Sequence, residues 1–208
     1  EVLTVARTGV EGTGKTPDAR ILDPDHIPVI GAASPLEAVK GLQFFLGAAQ
    51  RVLATGRKVE FLIAGAGPEE GNLRRLARDL EITEHITFVP NLLDFKRSIE
   101  AMDIFCLPSI RQGLGTVMLE AMALGKPVIA TRVDGPNQIV VPSETGMVVP
   151  PSNSARMAEA MLQLLDDPER AIALGQAARQ FVSREFSVER MVRETRDCYR
   201  MAVAEHVR

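Results

Sequence analysis

The chain has 208 residues, of which 46% are hydrophobic and 25% are charged, and its formal net charge is −3. This composition predicts a globular protein with a sizeable core, and the lack of a basic surplus argues against nucleic acid as a partner. No apolar run approaches the roughly 20 residues that span a bilayer, and no signal-peptide layout is present, so we expect a cytoplasmic protein. Cys106 and Cys198 are predicted to be thiols rather than a disulfide.

Residues 1–28 are predicted to be a linker that leads into the domain. The first residue is Glu, and the strand-like segment LTVA follows at once, which suggests a fragment of a longer protein. Residues 12–28 are rich in Gly, Pro and Asp and are predicted to form a loop. The domain itself is predicted over residues 29–208.

From residue 29 onward, apolar strand patterns alternate with helical patterns. Strands are predicted at 28–33, 58–65, 86–90, 103–108, 127–131 and 146–150, with helices near 36–55, 69–80, 92–102, 116–124 and 135–141. Three more helices are predicted to start at Ser154, Pro168 and Ser187. This order predicts an α/β, Rossmann-like parallel sheet with helices on both faces, followed by additional C-terminal helices.

The most informative stretch is residues 108–131, PSIRQGLGTVMLEAMALGKPVIAT, which places a glycine-rich loop before a short apolar helix. The amides of Gly113, Gly115 and Thr116 are predicted to be unpaired at the helix start, where the helix dipole favours a phosphate. Glu120 lies one turn further along, on the same face as Thr116. The apolar residues around it predict a helix that is buried nearly all round. A carboxylate there needs partners, such as the hydroxyls of a ribose.

Residues 9–16, GVEGTGKT, match the phosphate-loop pattern G-x-x-x-x-G-K-[ST]. That mechanism needs a helix that opens at Lys15 and Thr16, and Pro24 and Pro28 leave too little uninterrupted chain for it. No later apolar strand ends in an obvious magnesium-binding Asp. A phosphate-loop NTPase is therefore the less favoured alternative.

Two further positions follow predicted strands. The turn at Gly65 and Gly67 lacks the rest of a dinucleotide fingerprint, so we interpret it as a tight strand-to-helix turn or, second, as a wall of a nucleotide pocket. Lys40 follows the first strand and can meet a diphosphate as a point charge, although Glu37 is an alternative partner for it. No histidine has the spacing of a zinc ligand, so no metal site is predicted.

The motif at 108–131, followed by DGPNQIV, TGMVVPP and FSVERMV, resembles the C-terminal, donor-binding domain of family-4 retaining glycosyltransferases, also called glycosyl transferases group 1. These enzymes have two Rossmann-like domains in the GT-B arrangement. The resemblance runs from about Thr4 to Arg200. The segment TVARTGVE is similar to the linker that enters this domain, which would make the phosphate-loop match an accident.

The resemblance implies transfer of a sugar from a UDP- or GDP-sugar to an acceptor, with retained anomeric configuration and without a metal or other cofactor. It implies that Glu120 holds the ribose hydroxyls, that Lys40 pairs with the diphosphate, and that Gln112 and Glu120 are the catalytic pair. The implied donor-binding residues are Lys40, Gly65, Ser109, Arg111, Gly113, Leu114, Gly115, Thr116 and Glu120, with Val89, Pro90 and Asn91 along the base.

Three residues depart from the family pattern. Gln112 stands where the family usually has the first of two glutamates eight positions apart, and Gln138 stands at another common Glu position. Pro35 occupies the place of an arginine that meets the diphosphate. Arg111, beside Gln112, is a candidate replacement for that cation.

Two functional hypotheses follow beside the phosphate-loop alternative. The first is an active transferase whose acceptor site lies in its own N-terminal domain. The second is an inactive nucleotide-sugar-binding module, in which the changes at Gln112 and Pro35 have removed the chemistry but kept binding. If membrane association occurs, in either case, it is expected only through the other domain, at the inner face of the membrane.

Overall fold

Six short apolar segments form one sheet in which every neighbouring pair of strands is parallel. The computed structural model describes residues 20–90 and 95–206. The strands are β1 Val29–Ala33, β2 Glu60–Ala64, β3 Ile86–Val89, β4 Ile104–Leu107, β5 Val128–Thr131 and β6 Met147–Val149. Their order across the sheet is β3-β2-β1-β4-β5-β6. The predicted α/β, Rossmann-like class is confirmed.

Helices cover both faces of this sheet. They are α1 Leu42–Leu53, α2 Glu70–Asp79, α3 Phe95–Ala101, α4 Thr116–Ala123, α5 Asp134–Asn137, α6 Ser154–Asp166, α7 Pro168–Glu185 and α8 Val188–His206. Alternate residues of β4 enter two different core clusters: Ile104 belongs to the cluster that includes residues of α1, α2 and α6, and Phe105 belongs to the cluster that includes residues of α3 and α4. All four residues of β4 are buried, which explains why its sequence is continuously apolar.

The helices α6 and α7 begin at the predicted residues Ser154 and Pro168, and α8 begins at Val188, one residue after the predicted start at Ser187. The side chain of Asn153 accepts a hydrogen bond from the backbone of Arg156 and so caps α6, and Asp167 caps α7 in the same way. Ser187, just before α8, accepts a bond from the amide of Arg190 at 3.2 Å. These side chains satisfy backbone amides that a helix start leaves unpaired, which is why polar residues mark each start.

Two predicted helices are shorter in the structure. The helix expected at 36–55 begins only at Leu42, because Gly41 adopts the left-handed conformation (φ 65°) after a single 3-10 turn. The helix expected at 135–141 is limited to α5, since the amide of Val141 is held by the Thr145 hydroxyl at 2.9 Å and Pro142 follows it. Residues 92–94 of another predicted helix lie outside the described residues.

The strand order places a topological switch between β1 and β4. From β1 the chain proceeds to β2 and β3 on one side, and from β4 it proceeds to β5 and β6 on the other. In open parallel sheets, ligands bind outside the carboxyl ends of the strands at such a switch. A ligand site is therefore expected at the loops that follow β1 and β4.

Asp103 ties the segment before β1 to the start of β4, at the opposite edge of the sheet. Its Oδ2 atom lies 2.7 Å from Nε2 of His26 and accepts a hydrogen bond from the Val29 amide at 2.8 Å. The guanidinium of Arg20 lies 3.6 Å from Oδ1. This buried carboxylate holds part of the predicted linker, residues 20–28, against the sheet.

Replacing this carboxylate should destabilise the domain. We expect Asp103→Ala to lower the free energy of unfolding by about 1–3 kcal/mol, because the partly buried Val29 amide and His26 lose their hydrogen-bond acceptor and Arg20 loses a nearby negative charge. Urea unfolding followed by circular dichroism measures the change. The control is Glu159→Ala, which breaks an exposed pair with Arg156 and should cost less than about 1 kcal/mol. Equal losses in the two variants would contradict an anchoring role for Asp103.

Candidate functional site

A cleft of about 540 Å³ opens at the carboxyl edge of the sheet, between the loops that follow β1, β4 and β5. Its position at the switch point matches the rule for ligand sites in open parallel sheets. The lining residues are Val39, Lys40, Ile110, Arg111, Gln112, Gly113, Val133 and Asp134.

The loops after β1 and β4 are joined directly by their backbones. The amide of Ile110 donates a hydrogen bond to the carbonyl oxygen of Val39 at 2.8 Å. Gly41 permits this approach: a Cβ atom at that position would lie 2.1 Å from the carbonyl oxygen of Pro108. Any larger residue there would push the two loops apart, so the glycine is required for the floor of the cleft.

Gln112 is held from two sides within this cleft. Its Oε1 atom accepts hydrogen bonds from Nζ of Lys40 at 3.0 Å and from Oγ of Ser109 at 3.1 Å. Ser109 is fully buried, and its carbonyl oxygen accepts a bond of 2.6 Å from the hydroxyl of Thr131 at the end of β5. Three strand ends thus fix the position of one amide side chain.

The alternative pairing of Lys40 with Glu37 is not found. Lys40 ends the 3-10 turn that leads from β1 to α1, and its ammonium group reaches across to Gln112, 72 residues away in sequence. The side chain therefore faces the cleft and not its own turn.

The glycine-rich loop leads into α4 with no capping side chain. Gly115 is the N-cap residue and adopts φ 77°, a conformation that favours glycine, and no side chain accepts a hydrogen bond from the first turn. The Gly113 carbonyl group packs closely against Gly135. A Cβ atom on Gly135 would lie 1.5 Å from the Gly113 carbonyl oxygen. The first backbone amides of α4 therefore have no capping side chain as an acceptor. Together with the positive end of the helix dipole, they are available to an anionic ligand.

Only one face of α4 is open. Met118, Leu119 and most later residues are buried, as the sequence predicts, but Thr116 is exposed and Glu120 is only partly buried. The expectation of burial nearly all round was too strong, because residues four apart share one helical face and that face is uncovered. Glu120 and Thr116 are thus accessible together.

The environment of Glu120 opposes its ionisation. Burial raises the pKa of the Glu120 carboxyl above its ordinary range, and the nearby ammonium of Lys96 in α3 lowers it by a smaller amount. A carboxylate in this position gains from any ligand that donates hydrogen bonds to it.

Several predicted donor-binding residues are not in the lining of this cleft: Ser109 and Gly115 are buried, Thr116 and Glu120 lie on the open face of α4, and Leu114 lines a separate cavity of about 330 Å³. Gly65, Val89 and Pro90 lie at the ends of neighbouring strands. Gly65 follows β2, and its amide donates to the carbonyl oxygen of Val89 at 2.9 Å. Its conformation (φ 150°) lets the chain pass close to Ser34, where a Cβ atom would lie 1.9 Å from the carbonyl oxygen. Pro90 is exposed just after β3, and Asn91 lies outside the described residues.

Four residues of the cleft were missed at the sequence level. Val39 and Ile110 contribute their backbones to the loop contact, and an apolar side chain in a loop carries no signal of that role. Val133 and Asp134 come after β5, separated from the strand by Arg132. The rule that predicted Lys40, a polar residue after a parallel strand, applies equally to Asp134 and could have found it.

Comparison with known proteins identifies the family of this domain. The family model for glycosyl transferases group 1 matches residues 18–181, which is most of the chain. The chain belongs to this family. The assignment made from the motif at 108–131 is thereby confirmed, whereas the phosphate-loop match at 9–16 lies outside the described residues.

Two relatives and one solved structure show how far the similarity of this group 1 domain extends. The chain is 38% identical over 176 residues to a GDP-mannose-dependent monoacylated alpha-(1-6)-phosphatidylinositol monomannoside mannosyltransferase of Corynebacterium glutamicum, covering 80% of this chain and 45% of the relative. It is 32% identical over 172 residues to an alpha-D-kanosaminyltransferase of Streptomyces kanamyceticus, covering 79% and 43%. Sucrose-phosphate synthase of Thermosynechococcus elongatus superimposes with a TM-score of 0.83 at 26% identity, covering 95% of this chain and 52% of that one.

The chain spans about half the length of the curated relatives that it matches. In the described part of this group 1 domain, none of the helices has the length and apolar character needed to cross a membrane. Both cysteines are free, and burial raises the pKa of the Cys106 thiol. The prediction of thiols in place of a disulfide is confirmed.

The raised pKa of Glu120 has a consequence for stability. In the unfolded chain the carboxyl has an ordinary pKa of about 4.3, so below that value it is protonated in both states and ionisation costs nothing. As the pH rises through the higher folded pKa, ionisation progressively costs stability. Glu120→Gln removes this cost. The melting temperature of the variant should match wild type near about pH 4 and exceed it near about pH 8.

Thermal unfolding across this range measures the difference. The matched control is Glu144→Gln, which removes the same charge from an exposed loop. A difference in melting temperature between Glu120→Gln and wild type that is constant at every pH would contradict a raised pKa of Glu120 in the folded domain. The same trend in the control would also contradict it.

Proposed function

We propose that this domain binds a nucleoside diphosphate sugar, with UDP or GDP as the nucleotide, in the cleft between β1 and β4. We propose further that the whole protein transfers the sugar to an acceptor with retention of configuration. One observation carries the proposal: the ammonium of Lys40 and Gly113, in the loop that leads into the uncapped start of α4, belong to one cleft at the switch point, and Glu120 lies one turn into that helix.

Lys40 and the start of α4 together suit a diphosphate. Lysine acts as a compact point charge toward phosphate, and its partner Gln112 is neutral, so the charge of Lys40 is not cancelled by the contact. The backbone amides of Gly113, Leu114, Gly115 and Thr116 are proposed to add hydrogen bonds from the helix start. Cation and dipole both stabilise the diphosphate as it leaves the sugar.

Glu120 is proposed to accept hydrogen bonds from the two hydroxyls of the ribose. Its carboxylate is partly buried and open on one face, beside the exposed Thr116. Ribose hydroxyls would replace the water that burial removes, and they would lower the raised pKa of the Glu120 carboxyl. The base is proposed to lie along the end of β3, at Val89, Pro90 and Asn91.

The acceptor is proposed to bind on a second domain. The curated relatives are about twice as long as the matched region, and each is named as a glycosyltransferase. The name of the Corynebacterium relative specifies GDP-mannose, which makes GDP-mannose the first donor to test. We propose that the reaction depends on positioning and on charge stabilisation of the leaving diphosphate, with no metal or cofactor.

Binding of a sugar nucleotide without metal is the direct test. We expect GDP-mannose or UDP-glucose to bind in the presence of EDTA, as measured by isothermal titration calorimetry. Lys40→Ala should weaken binding by about 1.5–3 kcal/mol, the range for a hydrogen bond to a charged group. Lys58→Ala, an exposed lysine just before β2 at the opposite edge of the sheet, is the control and should bind like wild type. No binding of either donor by wild type would overturn the proposal.

Arg111 is proposed to replace the cation that is missing at Pro35. Its amide contacts the Val39 carbonyl oxygen at 3.3 Å, and the residue is exposed beside Lys40 in the lining of the cleft. Arg111→Ala should weaken sugar-nucleotide binding by about 1.5–3 kcal/mol in the same titration. Arg51→Ala, exposed near the end of α1, is the matched control. Unchanged affinity in Arg111→Ala would exclude this role.

A further inference from the structure

We propose that Gln112 determines donor specificity by presenting its amide N–H groups to the transferred sugar, so that this subsite takes a hydrogen-bond acceptor. The inference rests on the proposed function, since it concerns the sugar of a nucleotide sugar bound in the cleft. It assigns a direction to a side chain that, from sequence alone, could use either its oxygen or its nitrogen.

The contact with Lys40 decides the orientation of the amide. A lysine ammonium carries three donors and no acceptor, so the Gln112 atom that lies 3.0 Å from it must be the oxygen. The hydroxyl of Ser109 donates to the same oxygen at 3.1 Å. Reversing the amide would place its N–H groups against the ammonium, and that arrangement is repulsive. The oxygen of Gln112 is therefore occupied by two protein donors.

The nitrogen of the amide is left for a ligand. Gln112 has no hydrogen bond from Nε2 to any residue in 20–90 or 95–206. The atom lies on the side of the α4 start: a Cβ atom built on Gly115 would be 3.9 Å from it. Gln112 also lines the cleft and is partly exposed. Two N–H donors thus stand beside the helix start where the diphosphate end of the sugar is proposed to lie.

A glutamate at this position would act in the opposite sense. One of its oxygens would pair with Lys40, and the other would offer only lone pairs, so its sugar partner would have to be a hydroxyl that donates. The amide needs a partner that accepts: a hydroxyl through its lone pair, a carbonyl or a carboxylate. A glutamate would also add a negative charge to a cleft whose charged lining residues, in the described part of the chain, are Lys40, Arg111 and Asp134.

Monodeoxyfluoro donors test this polarity, because fluorine keeps the size of a hydroxyl, accepts weakly and cannot donate. GDP-mannose and UDP-glucose, each with its set of single hydroxyl-to-fluorine analogues, are titrated into wild type and into Gln112→Glu. At one sugar position, wild type should lose no more than about threefold in affinity on fluorination. Gln112→Glu should lose about tenfold or more at that same position, since its carboxylate loses a donor and meets fluorine.

Gln112→Met provides a second comparison with a similar shape and no amide. This variant should bind both parent donors more weakly than wild type. Fluorination at the position that weakens binding to Gln112→Glu should weaken binding to Gln112→Met no more than fluorination at the other positions. A fluorination profile that is the same in wild type and Gln112→Glu at every position would overturn the inference while leaving donor binding intact. If neither parent donor binds wild type, the proposed function fails and the inference fails with it.

Discussion

The close approach of two loops at the switch point is the constraint on which the site depends. The backbone bond between Ile110 and Val39 brings the end of β1 and the end of β4 together, and Gly41 leaves room for the Pro108 carbonyl oxygen. Because both loops are fixed by backbone groups, their side chains arrive at set positions and need no rearrangement to meet. Preorganisation of this kind is what transfer chemistry by positioning requires, since it avoids an entropic cost on binding. The parallel sheet contributes the rest, because it delivers every strand end to one edge.

The local features of the chain could be predicted because they depend on local physics. Runs of apolar residues predict the buried strands, and a polar residue before an apolar pattern predicts the helix starts at Ser154 and Pro168. The start of α4 was predicted in the same way, from glycines that precede an apolar helix. These signals work because burial, capping and backbone conformation each act within a few residues.

The parts that could not be predicted depend on distant contacts. Helical periodicity extended α1 back to residue 36, but Gly41 is needed in a left-handed conformation against Pro108, and that requirement is invisible to periodicity. The bond between Lys40 and Gln112 spans 72 residues and exists only because β1 and β4 are neighbours. The burial of α4 was overestimated for a related reason. No local sequence feature shows which side of a helix the rest of the domain leaves exposed to solvent.

In the proposed donor complex, the Lys40–Gln112 contact would link recognition of the diphosphate to recognition of the sugar. If Lys40 turns toward a bound diphosphate, it releases one of the two donors that hold the Gln112 oxygen, but Ser109 remains and is itself fixed through Thr131. The buried hydroxyl of Ser109 therefore preserves the direction of the amide while the lysine is engaged elsewhere. A glutamate in place of Gln112 would instead hold Lys40 by charge and compete with the diphosphate for it. If the donor binds as proposed, the neutral amide leaves the full charge of Lys40 for the diphosphate, and discrimination of the sugar falls to the two N–H groups of Gln112 beside the start of α4.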